Sequence, residues 1–362
     1  MNQIRSHLRH YSIIYILWVL ALWFFTGGIN EPKNWFYSWN KWDALWYEKI
    51  WDHGYLVSEP MTAAFPPGYP LFIGALSGLL QSNFHIIALI VNVLAFFVAA
   101  ILAAEVLATR FPVSRLAIFV FTLSSPTAYF IFSAYSDSLF SMMMWATLFT
   151  ALLYPNNKRA RYIEAGLLFM MPWLRLTGYA MASWLVLRRW TALVIFLSLG
   201  AWLCFNWLTG DQVDRFLDVQ KLFLMPQGGV WEGLSYSLQY VYPFKLPSAS
   251  DFDSWLTIHF LPLTYFAALI CTGLWLAYRR QWLLAITLAS VLLMSHNQSF
   301  WRSVIRYDFP LIPMLGVFLL SVSGRLFKHE LYRGMFLGTV IGIQFMLQIY
   351  FGNYFRFGHW GF

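Results

Sequence analysis

Charge is what this sequence lacks most. Asp, Glu, Lys and Arg make up 11% of its 362 residues, against about 25% in a soluble globular chain. A water-solvated domain of ordinary size is therefore excluded as the main body of the protein. Cysteine is nearly absent as well: Cys204 and Cys271 both fall inside apolar runs, so an extracellular disulfide framework is excluded. No cleavage pattern of small residues follows the first apolar segment, Tyr11 to Gly27, and that segment is expected to be an uncleaved first span. What the chain has instead is 59% hydrophobic and 20% aromatic residues. Apolar runs of about 20 residues recur from end to end. These features predict an all-α polytopic membrane protein, folded as one transmembrane domain over residues 1–362.

The net charge of +8 does not point to nucleic acid, because the cations stand as short clusters between apolar runs. Such clusters mark cytoplasmic loops. They include Arg5 with Arg9, Arg110 with Arg115, Lys158 with Arg159 and Arg161, Arg188 with Arg189, Arg279 with Arg280, and Arg325 with Lys328 and Arg333. Spans must alternate around these points, which puts the N-terminus inside and the C-terminus outside. Two apolar runs lie between the first span and Arg110, yet only one can cross. The run Tyr69 to Leu80 is the shorter, about 18 Å of helix against a hydrocarbon core of about 30 Å, so a juxtamembrane helix is expected there. Residues 28–85 then form a first extracytoplasmic loop with two interfacial helices, and residues 209–254 a second large loop. Further spans are expected at about 86–109, 116–134, 138–154, 191–208, 256–277, 282–295, 308–323 and 334–351. Two short helices between Arg161 and Arg188 meet near Arg175 and bring the expected count to about 11. In this topology only Glu105, Glu164 and Glu330 of the 16 acids lie inside. The other acids gather outside among Trp and Tyr, which suggests an outward-facing polar site.

The stretch "KWDALWYEKIWDHGY" lies in the first loop. If it is helical from Lys41, Trp42, Leu45, Trp46, Lys49 and Ile50 share one face at headgroup depth, and Asp43 projects from its shoulder near Tyr47. An aromatic belt with snorkelling charges would read the same way.

The longer segment "WDALWYEKIWDHGYLVSEPMTAAFPPGYPL" resembles the lumenal first loop of the PIG-V family, mannosyltransferases that add the second mannose to GPI anchors, and of their prokaryotic relatives. "LSSPTAYFIFSAYSDSLF", "PWLRLTGYA" and "SVIRYDFPLIPM" are similar to later segments of the same family. Where members tend to read Tyr-Ser-Glu, this chain has Tyr135, Ser136 and Asp137; where they read Arg-Ser-Asn-Gly, it has Arg175, Leu176, Thr177 and Gly178. The resemblance implies a fold of the GT-C type, with a polyprenyl-phosphate sugar as donor, a lipid or glycan as acceptor, and no cofactor. The active site would face outward, at the plasma membrane in a prokaryote or the endoplasmic reticulum in a eukaryote. A small membrane partner subunit is compatible with it.

Inverting transfer needs a carboxylate to take the acceptor's proton, a role that falls to Asp43. The leaving phosphate needs no general acid but gains from cations, for which Arg306, Arg175 and Lys41 are the candidates. The resemblance further implies substrate contacts from Trp42, Tyr47, His53, Tyr135, Asp137, Gln220, Trp231 and Tyr307. No metal site is expected, since His53 and Asp52 are adjacent and point to different faces.

Structural readings stand beside these. Arg306 begins a span and is suited to an interfacial anchor; Arg175 is suited to pairing with Asp137 or Asp43; Asp137 is placed to cap a helix with Ser136. A secondary transporter would show midplane charges and internal symmetry, neither of which is evident. A non-catalytic subunit would have no use for Asp43.

Overall fold

The computed structural model describes residues 2–55, 60–210, 219, 229–241, 255–296 and 304–357. Every element among these is helical, with no strand. In chain order the helices are α1 (Asn2–Phe25), α2 (Pro32–Ser38), α3 (Asp43–His53), α4 (Gly68–Leu79), α5 (Phe84–Arg110), α6 (Arg115–Leu123), α7 (Asp137–Leu153), α8 (Lys158–Leu174), α9 (Val194–Gly210), α10 (Gly229–Val241), α11 (Leu261–Tyr278), α12 (Trp282–Ser295), α13 (Ile312–Leu326) and α14 (Glu330–Arg356). Tighter 3-10 segments run over Ala128–Phe132 and Leu176–Leu187, and a single helical turn over Val304–Tyr307. Among the described residues six helical stretches are long and apolar enough to cross a bilayer: His7–Phe25, Phe84–Arg110, Trp190–Thr209, Leu261–Tyr278, Phe309–Leu326 and Glu330–Arg356. Gly68–Leu79, Asp137–Leu153, Leu176–Leu187 and Trp282–Ser295 are apolar but shorter. Against about 11 expected crossings, six are thus long enough by themselves.

By internal contacts the chain forms two compact units. The first comprises Met1–Ala44, Leu79–Ala160 and Phe309–Gly361. Its centre is α5 against α7. Ala88, Ala95, Ala99, Ala100, Ala103 and Ala104 of α5 are buried, and small side chains are what lets two helices in a membrane approach closely. Asn83 starts α5 by accepting the His85 amide on its side chain at 2.9 Å, an N-cap. The expected span at 116–134 does not exist as one helix. After α6 ends at Leu123, Ser124, Ser125 and Pro126 break the ladder, because proline has no amide to donate. The chain from Phe121 to Ser141 is buried throughout. Its freed polar groups find partners on α14. Gln348 donates to the Leu123 carbonyl at 3.3 Å, Ser124 donates to Gln344 at 2.8 Å, and Trp18 of α1 donates to Gln348 at 3.2 Å. Irregular backbone at membrane depth is tolerated only with such internal partners.

The second unit comprises Leu45–Gly78, Arg161–Asp308 and Phe362. Helix α8 enters it from the last residues of the first unit, where Asn157 accepts from the Arg159 and Ala160 amides at 2.9 and 3.3 Å. The expected break near Arg175 is present, with an extended backbone (φ −153°, ψ 139°) between α8 and the 3-10 segment Leu176–Leu187. Trp184 of that segment donates to Thr287 of α12 at 2.8 Å. At the other end of α8, Glu164 is buried and accepts from Arg189 at 2.6 Å and Thr191 at 2.5 Å. In α4, a Cβ on Gly74 would lie 2.0 Å from the Trp51 ring, so only glycine lets that indole lie on the backbone.

The first loop is more structured than expected. Beside the two expected helices, α3 and α4, it holds α2 and a 3-10 turn at Pro60–Ala64. Helix α3 begins at Asp43 and not at Lys41, which leaves Trp42 off the helix. Trp42, Leu45 and Lys49 are exposed as expected, but Ile50 is not. It is 1% exposed and falls on the buried line of Ala44, Tyr47 and Ile50.

Candidate functional site

In the first unit, the chain between α2 and α3 is gripped at successive positions. The Trp39 indole is buried, its ring centre 5.3 Å from that of Phe132. Its carbonyl accepts from the Ser133 hydroxyl at 2.7 Å, and the Ser133 carbonyl in turn accepts from Asn92 of α5 at 2.7 Å. Asn40 meets His85 at the start of α5, Nδ2 to Nε2, at 2.6 Å. The Lys41 carbonyl accepts from the Tyr135 hydroxyl at 3.3 Å, and the Asp43 amide donates to that same hydroxyl at 3.3 Å. Between them Trp42 has φ +53°, the left-handed region that costs a residue with a Cβ about 1–2 kcal/mol. Such strain persists only where surrounding contacts over-determine it. Its consequence is to start α3 at Asp43, which is half-buried in the first turn. The N-terminal dipole of the helix favours a carboxylate there by about 0.3–1 kcal/mol.

Asp137 also begins a helix, α7, and is 2% exposed. The expected cap through Ser136 is not formed. Ser136 has helical backbone angles (φ −74°, ψ −4°) and makes no side-chain capping bond, whereas a capping residue is normally extended.

In the second unit, the guanidinium groups of Arg175 and Arg306 lie 4.6 and 4.9 Å from the centre of one ring, that of Tyr307. Arg306 also donates from Nη2 to the Tyr307 hydroxyl at 3.2 Å. Arg306 is 4% exposed, which makes it a buried residue and not the interfacial anchor its position suggests. Each contact of this kind stabilises by about 0.5–2 kcal/mol. Two like charges on one ring also repel, and an anion placed between them offsets that cost. Arg175 therefore has the Tyr307 ring as an aromatic neighbour.

Immediately after Tyr307, Asp308 is fully buried and accepts from Ser295 of α12 at 2.9 Å. His296 Nε2 stands 3.6 Å from the other carboxylate oxygen, and His296 Nδ1 lies 3.0 Å from the Leu292 carbonyl. Burial lowers the imidazole from 6.5 to about 3, so it is neutral at ordinary pH. This cluster was missed in the sequence, although an acid at the head of an apolar run was the available signal.

Tyr47 packs in the second unit, its ring 4.9 Å from that of Tyr69 and 5.3 Å from that of Phe65. His53 is exposed at the end of α3, and Trp231 on α10 is 81% exposed. Gln220 lies outside the described residues. Among the described residues no group of three or more His, Cys, Asp or Glu stands close enough to hold a metal.

No protein-family model matches the chain, and no curated protein matches it. Among solved structures, the chain is similar to the Archaeoglobus fulgidus oligosaccharyltransferase, crystallised with an acceptor peptide containing the NVT sequon tethered through a disulfide, with a TM-score of 0.49 and 11% identity. That alignment covers 98% of this chain and 56% of the other, so the chain spans a little over half the length of the protein it matches.

Proposed function

We propose that the protein is an inverting glycosyltransferase that moves a sugar from a polyprenyl-phosphate carrier to a lipid-linked or glycan acceptor on the extracytoplasmic face of the membrane. The sugar we assign is mannose, on the resemblance of the first loop to mannosyltransferases. The observation that carries the reading is the left-handed turn at Trp42, which delivers Asp43 half-buried at the head of α3. A carboxylate there serves as general base. It takes the proton of the acceptor hydroxyl as that oxygen bonds to the anomeric carbon. The bond from that carbon to the phosphate oxygen breaks, and its electron pair leaves with the phosphate. Arg306 and Arg175, fixed on the Tyr307 ring, are the groups we assign to the growing phosphate charge, Arg being suited to two oxygens at once.

The test is donor dependence. Membranes containing the protein should transfer label from polyprenyl-phosphate mannose to a lipid or glycan fraction, and membranes lacking it should not. Transfer that proceeds equally from a nucleotide sugar with the polyprenyl carrier absent would refute the assignment.

A further inference from the structure

We propose that Tyr135 is a positioning residue for Asp43, holding the carboxylate through the backbone on either side of Trp42 and not through contact with sugar or acceptor. The inference rests on the reading of Asp43 as the base and goes beyond it. The hydroxyl of Tyr135 donates to the Lys41 carbonyl and accepts from the Asp43 amide, each at 3.3 Å. It therefore spans the one residue between them, whose φ is +53°. A phenol has a single proton to donate, and here the backbone of Lys41 takes it. Tyr135 is itself fixed: it is 1% exposed, and its ring centre lies 5.1 Å from that of Phe130 and 6.1 Å from that of Phe355.

The same short segment holds the loop at a second point. Ser133, two residues earlier, donates to the Trp39 carbonyl, and its own carbonyl is tied to Asn92 on α5. Residues 133–135 thus connect the packed interior of the first unit to both ends of the strained turn. Nothing intrinsic to tryptophan favours that conformation. Loss of the hydroxyl should let Trp42 relax and move the first residue of α3, where a misplacement of about 1 Å costs on the order of 100-fold in rate.

The experiment uses the full-length protein in membranes with polyprenyl-phosphate mannose as donor. Tyr135→Phe keeps the ring and removes the bridge. We expect kcat to fall about 10–100-fold while KM for the donor stays within about two-fold, the signature of a group acting on the transition state alone. Replacing Tyr135 with p-aminophenylalanine, which restores a donor and acceptor at the same atom, should recover most of the loss. An unchanged kcat in Tyr135→Phe, or a loss confined to KM, overturns the inference. If Tyr135→Phe does not fold, p-aminophenylalanine must still give near-wild-type kcat, and failure there overturns it too. Asp43→Asn is run alongside. Inactive Asp43→Asn with normal Tyr135→Phe sinks the positioning role alone, whereas active Asp43→Asn sinks the reading of the base with it.

Discussion

Gly178 closes the turn that follows Arg175, its amide donating to the Arg175 carbonyl at 2.9 Å. A Cβ built there would lie 2.6 Å from Met171 C, 2.6 Å from Pro172 N and 2.9 Å from Met171 O. Ordinary carbon contacts sit at about 3.5–4.0 Å. Gly178→Ala therefore demands a shift of about 1 Å, and the three nearest atoms are all backbone, so no rotamer change relieves them. The cost should reach or exceed the upper end of the range of about 1–3 kcal/mol for overpacking. The turn that moves also carries Arg175, so its contact with the Tyr307 ring, 4.6 Å away, should weaken. Gly166 of α8 supplies the control, because nothing lies within 4 Å of a Cβ built there. Gly166→Ala should stabilise by about 0.5–1 kcal/mol, the ordinary advantage of alanine in a helix. Thermal unfolding of the solubilised protein, read by tryptophan fluorescence, should show opposite shifts. Equal shifts, or an unaltered midpoint for Gly178→Ala, would refute the packing argument.

Three further outcomes follow from the second unit. Arg189→Ala leaves the Glu164 carboxylate, 2% exposed, without its cation, and should destabilise by about 3–5 kcal/mol; adding Glu164→Gln should recover much of that loss in the same unfolding assay. His296 stays neutral when folded down to about pH 3 but is protonated below about 6.5 when unfolded. The imidazole's own contribution to stability, present above pH 6.5, should therefore fall as pH drops, while burial pushes the neighbouring Asp308 carboxyl up and opposes it. His296→Gln should flatten that dependence, and a slope unchanged by the substitution would place its source elsewhere. Arg306→Lys keeps the charge but removes the planar fork, so kcat/KM for the donor should fall about 10-fold, roughly 1.4 kcal/mol of transition-state stabilisation; an unaltered kcat/KM would remove Arg306 from the leaving phosphate.

The sequence made the apolar helices and the hairpin break legible for simple reasons. Too few residues separate Arg161 from Arg188 for two full spans, which forces a break near Arg175, and the unbroken apolar run after His85 reads directly as α5. The break at 124–126 had a local sign in Ser124, Ser125 and Pro126, outweighed by the apolar residues on either side, while the groups that compensate it, Gln344 and Gln348, lie far along the chain on α14. Trp42 carries no local sign of a left-handed backbone, since that conformation comes from tertiary contacts to Ser133, Tyr135 and His85. Spacing alone joined Ile50 to the aromatic stripe; the later start of α3 put it on the buried side. Asp43, Arg175 and Arg306 were visible as charges in apolar surroundings, and the ring shared by the two arginines was visible only in the fold.

The most direct test of the account compares Asp43→Asn with the wild type in transfer of labelled mannose from polyprenyl-phosphate mannose, at equal protein in the membrane. Asparagine preserves the shape of the side chain but accepts no proton from the acceptor, so the rate should fall by about 100–10,000-fold. Wild-type transfer by Asp43→Asn would contradict the claim that this carboxylate does the chemistry.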